Sequence, residues 1–149
     1  MSATPTSCSS GSRPAADVLP GLAAQPWQHL RKAVRALGED PPDEQLHEVR
    51  IRAKRARYAA EVAALVAGKR ARRFAKAVAG VQEVLGQLQD ASVSEAWLRD
   101  AVADVPPATA AVVLRLAAED RAEAERVRAV WRTAWEPLAD KGLRSWLKR

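Results

Sequence analysis

The stretch LHEVRIRAKRARY, residues 46–58, sets one histidine at the head of five Lys/Arg residues. At 100° per residue His47, Arg50, Lys54 and Arg57 fall within an arc of about 80°, while Arg52 and Arg55 lie on the far side and read as ordinary solvent charges. Like charges stacked at three- and four-residue spacing repel by about a few tenths of a kcal/mol per pair, and Glu61, on the same arc, cannot neutralise them all. Such a row makes physical sense when an anion fills it. Successive turns rise about 5.4 Å, so a linear polyanion would meet charge at regular intervals. The competing reading pairs these cations with Glu119, Asp120, Glu123 and Glu125 of a later helix, because charge runs on helices are usually solvated or internally paired.

The expected chemistry is binding, not catalysis. The only other histidine is His29, and Cys8 lies far away near the chain start, so the three or four converging ligands of a metal site are not available. The basic helix offers no paired carboxylates, nucleophile elbow or Gly-rich phosphate loop, and no cofactor is expected. His47 stands early in its helix, where the partial positive charge of the N-terminus favours a phosphate; the alternative is a histidine hydrogen-bonded to a backbone carbonyl. Lys69, Arg72, Arg73 and Lys76 share one face of the next helix, opposite Phe74, Val78, Val81 and Leu85. They form either a second wall of the site or a merely solvated helix start. Tyr58 reads as a core aromatic with its hydroxyl at a polar rim. Asp90 is expected to pair with a helix end or a basic side chain.

The elements that position these residues follow from periodicity. A chain of 149 residues, 48% apolar and mostly Ala, Val and Leu within that fraction, reads as one all-α domain. Spacings of three and four among Trp27, Leu30, Val34 and Leu37 predict a helix over 24–37, ended by Gly38. EDPPDEQ is a linker in which Asp43 is the expected N-cap of a helix over 44–67 that stops at Gly68. Its core face is Leu46, Val49, Ala53, Ala56, Ala60, Ala63 and Ala64. A long helix from KRARRF to Ala103 follows, with Gly80 and Gly86 marking close helix approach, and Pro106-Pro107 ends it. A helix over 108–135 and a short one over 138–147 complete the chain, with Trp27, Trp131 and Trp135 filling the core. Residues 1–20 are expected to be a disordered tail and 21–149 a bundle of long antiparallel helices.

Charge sharpens the picture. The net charge is +6, yet His47–Lys76 alone holds ten Lys/Arg against two acids, leaving fourteen bases against sixteen acids elsewhere. A concentrated positive field points to a polyanionic partner. A lone cysteine argues for a reducing compartment, and neither a signal-peptide h-region nor an apolar run of about 20 residues is present, so a cytoplasmic protein with no membrane partner is expected.

Leu46, His47, Arg50, Lys54, Arg55, Arg57 and Tyr58, followed by Glu61, resemble the motif L-H-x-x-R-x-x-x-K-R-x-R-Y of the CHAD domain, the conserved-histidine α-helical domain. Downstream, Val81, Gln82, Leu85, Gly86 and Asp90 are similar to its L-Q-x-x-L-G-x-x-x-D, with valine in the first place. The resemblance implies two four-helix bundles about a pseudo-two-fold axis around a basic pore, binding of inorganic polyphosphate and association with polyphosphate granules. His29 lacks the Arg/Lys ladder of a first repeat, and the chain resembles the C-terminal half of that architecture. A weak homodimer, or a complementing first-half CHAD chain, is the implied way to close the pore. No E-x-E-x-K triphosphate-hydrolase motif is present, and a non-enzymatic module is expected. The expected polyphosphate-binding residues are His47, Arg50, Lys54, Arg57, Lys69, Arg72, Arg73 and Lys76. The alternative function is a helical scaffold whose basic face meets an acidic protein or nucleic acid. Nucleic acid is the less favoured partner, because the tryptophans do not interleave with the basic row as base-stacking would require.

Overall fold

In a computed structural model of the chain, residues 14–148 are described, and they form α1 (Ala15–Ala36), α2 (Asp43–Ala67), α3 (Lys69–Ala101) and α4 (Pro107–Trp135), with no strand among them. Short 3-10 turns at Val102–Asp104, Glu136–Ala139 and Ser145–Lys148 finish the helices. Each helix packs on the next in sequence: α1 on α2, α2 on α3 and α3 on α4. The all-α bundle expected from composition is therefore the fold.

Its packing follows from side-chain size along each seam. The buried residues of α2 are Leu46, Val49, Ala53, Ala56, Ala60, Ala63 and Ala64, the face that periodicity picked out. Alanine at five of those positions lets the neighbouring backbones approach closely. On α3, buried Ala71, Phe74, Val78, Val81, Leu85 and Leu88 recur at three and four residues, a coiled-coil-like seam. α4 answers with Ala117, Val127 and Trp131. Alanines bury little area, and aromatics fill the space they leave. Trp27 stacks on Trp135 at 5.5 Å and meets Phe74 edge-on at 5.2 Å, while Phe74 meets Trp146 at 5.5 Å. This box ties α1, α3, α4 and the C-terminal turn together.

Several boundaries differ from expectation. α1 starts at Ala15, nine residues before the predicted Ala24, so residues 15–20 are helical and not tail; the tail expected over residues 1–13 lies outside the described residues. Pro20 and Pro26 sit inside α1, at a cost of about 3 kcal/mol each in a helix interior. Burial of Pro20 and Ala23 in the core offsets part of that cost. Asp43 opens α2 with Pro42 in the cap position, and its carboxylate accepts from the Ser92 hydroxyl at 3.2 Å and pairs with Arg128. The terminal helix expected over 138–147 is replaced by two 3-10 turns, because Asp140 folds back to accept from the Gly142 N–H at 2.8 Å. Gly68 alone links α2 to α3 at φ +77°, where any other L-residue is strained.

Candidate functional site: the basic seam between α2 and α3

The one-residue link makes α2 and α3 an antiparallel hairpin, and two contacts fix where the basic row points. The Arg57 guanidinium donates to Gln82 Oε1 at 3.5 Å, and a Cβ on Gly86 would lie 3.5 Å from Arg50 Nε. The LHxxR row of α2 thus faces the Gln82 and Gly86 positions of α3. The 3.5 Å separation at Gly86 is an ordinary van der Waals contact, so the Arg50 side chain lies against α3 there, and an alanine would fit as well. At Gly80, predicted to mark the same kind of approach, a Cβ would meet no neighbour within 4 Å.

Within the row, His47, Arg50 and Arg57 are half-buried and Lys54 is exposed. His47 Nδ1 and Arg50 Nε are buried with no hydrogen-bond partner among the described residues. The alternative for His47, a hydrogen bond to a backbone carbonyl, is not made by this nitrogen among the described residues. Because α2 begins at Asp43, His47 is its fifth residue, just past the first turn. Arg57 is hydrogen-bonded to Glu61 at 2.7 Å, and that bond, with smaller help from Tyr58 and Glu83, holds its guanidinium above the ordinary value against the effect of desolvation. Arg52 pairs with Glu48 at 2.7 Å on the α1 side, while Arg55 is exposed.

The second set of cations divides. Arg72 and Lys76 line a cleft of about 490 Å³ opposite Glu61 and Leu65, whereas Lys69 and Arg73 are exposed outside that lining. Antiparallel pairing puts the start of α3 beside the end of α2, so the two sets succeed one another along the seam instead of facing across it. The expected pairing of the row with Glu119, Asp120, Glu123 and Glu125 does not form. Glu119, Glu123 and Glu125 pair with Arg115, Arg126 and Arg121 of α4 itself, and no ion pair joins the row to α4 among the described residues. Asp90 is exposed and likewise joins none.

Tyr58 is not the core aromatic that was expected. It is 51% exposed, with Lys54 Nζ 5.8 Å and the Arg57 guanidinium 5.9 Å from its ring centre. With Val62 at 50% and Leu65 at 82%, it continues the arc of the cations as an exposed apolar row. The helical wheel carries that signal, because Leu65 falls on the arc of His47, Arg50, Lys54 and Arg57, with Tyr58 and Val62 beside it. His29 is exposed, and no group of three His, Cys, Asp or Glu side chains converges among the described residues.

Both sequence motifs thus meet on one seam, and the comparison with known families agrees: a model of the CHAD domain matches residues 1–99. The chain belongs to the CHAD domain family. The match spans α1, α2 and nearly all of α3, so the basic seam lies inside the CHAD region and α4 outside it. No curated protein and no solved structure matches the chain. No described helix of this CHAD chain is long and apolar enough to cross a membrane.

Proposed function

We propose that the chain binds inorganic polyphosphate along the α2/α3 seam, through His47, Arg50, Lys54 and Arg57 and then Lys76 and Arg72, with Lys69 and Arg73 adding field at the helix start. The observation that carries this reading is the pair of buried nitrogens without a partner among the described residues, His47 Nδ1 and Arg50 Nε, on a row that makes no ion pair with α4 there. A buried polar group without a partner costs about 1–3 kcal/mol, and an entering anion would relieve that cost at the arginine N–H. The start of α3 adds support. It has no side-chain cap and no acid in its first turn, and its early residues Lys69, Arg70, Arg72 and Arg73 add like charge to the positive helix end. Membership of the CHAD family, linked with polyphosphate, favours the same ligand, and no catalytic step is invoked. Association with polyphosphate granules in the cytoplasm would follow from such binding.

Calorimetric titration with polyphosphate at two salt concentrations, with duplex DNA as competitor, tests this. Affinity should fall steeply with salt through counterion release, and DNA of equal charge should compete poorly. Equal competition by DNA would replace the reading with one of general polyanion binding.

A further inference from the structure

A second group of unneutralised cations lies between α1 and the C-terminal turns. A cleft of about 340 Å³ is lined there by Trp27, Gln28, Arg31, Lys141 and Arg144 among others, and no acid lines it among the described residues. It shares no lining residue with the α2/α3 cleft. None of Arg31, Arg35, Lys141 and Arg144 belongs to an ion pair among the described residues, although seven other arginines do. The adjacent Asp140 has its carboxylate on the Gly142 N–H. Desolvation, then Arg35 and Arg144, push the Arg31 guanidinium below its ordinary value.

Arg144 is already oriented. Its Nε donates to the Asp140 carbonyl at 3.2 Å and a terminal nitrogen to the Ala139 carbonyl at 3.1 Å, and its guanidinium carbon stands 5.7 Å from the centre of the Trp27 ring. Those bonds use two of its five N–H donors. A fixed guanidinium beside a half-buried second one, with an ammonium at the rim, is the arrangement that grips a multiply charged oxyanion.

We infer that the cleft between α1 and the C-terminal turns is a separate binding site for a compact phosphate oxyanion, held by Arg31, Lys141 and Arg144. This does not rest on the polyphosphate reading of the α2/α3 seam. The test uses the full chain carrying Arg50→Ala and Lys54→Ala, titrated with pyrophosphate at constant ionic strength. Binding should persist in that background and weaken about tenfold or more when Arg31→Gln and Lys141→Gln are added. Arg31→Lys should retain much of it. The apo melting temperature of the Arg31→Gln, Lys141→Gln chain should not fall, because repelling charges are removed; a merely structural role for these side chains predicts that it does. The single change Lys141→Gln, at an exposed position, should also weaken binding without touching the fold. Unchanged pyrophosphate affinity after the Arg31 and Lys141 changes would overturn the site, as would absence of binding in the Arg50, Lys54 background.

Discussion

α2 and α4 flank α3 as two arginine-rich helices, and they treat their charges in opposite ways. On α4, Arg115, Arg121 and Arg126 are matched by Glu119, Glu125 and Glu123 within a turn, and Arg128 reaches Asp40 and Asp43. On α2 only Arg52 and Arg57 have carboxylate partners, leaving Arg50, Lys54 and Arg55 without one among the described residues. Charge count alone therefore says little about function. What separates the helices is whether the sequence supplies the opposite charge three or four positions away. α4 meets most of its charge with carboxylates, whereas α2 leaves three of its five cations without one among the described residues.

The strongest way to break this contrast is to attack each helix where it is said to matter. Trp131 is 1% exposed and anchors α4 on the core. Trp131→Ala should cost about 3–5 kcal/mol of stability in denaturant titration. A loss below about 1 kcal/mol would mean that α4 is not held by its buried face. On α2, Arg50→Ala with Lys54→Ala should weaken polyphosphate binding more than tenfold with helicity intact, a loss of about 1.4 kcal/mol or more. Arg121→Ala with Arg126→Ala should change it little. Equal losses in calorimetry would reduce both helices to diffuse charge. The finest distinction concerns the apo chain: Lys54→Gln should leave stability unchanged or raise it by about a few tenths of a kcal/mol, since its i−4 neighbour is Arg50. A drop in melting temperature would mean that the Lys54 contact with the Tyr58 ring outweighs that repulsion.

How far the sequence could be read depended on the kind of information each feature needs. The buried face of α2 was legible residue by residue, because periodicity alone decides it. The early start of α1 was not, since Pro20 and Pro26 lower helix propensity and only tertiary burial overrides them. The wheel placed His47, Arg50, Lys54 and Arg57 on one arc. It could not show that Arg72 and Lys76 lie farther along the seam, because that follows from the register set by Gly68. The exposure of Tyr58 was not legible, because an aromatic beside the core face can lie on either side of the rim. Arg31 and Arg144 stand 113 positions apart in sequence, and no local pattern could have joined them.

The Gly68 link also bears on how the chain folds. Every major helix contact joins neighbours in sequence, so most native contacts close short loops, and such topologies fold in microseconds to milliseconds. The α2–α3 hairpin, with a single residue to close, is the natural first event. The aromatic box is the exception, because stacking Trp27 on Trp135 and setting Phe74 edge-on to Trp146 closes long stretches of chain. Stopped-flow refolding should therefore show helix circular dichroism returning before the tryptophan signal of that box; simultaneous recovery would argue for one concerted step.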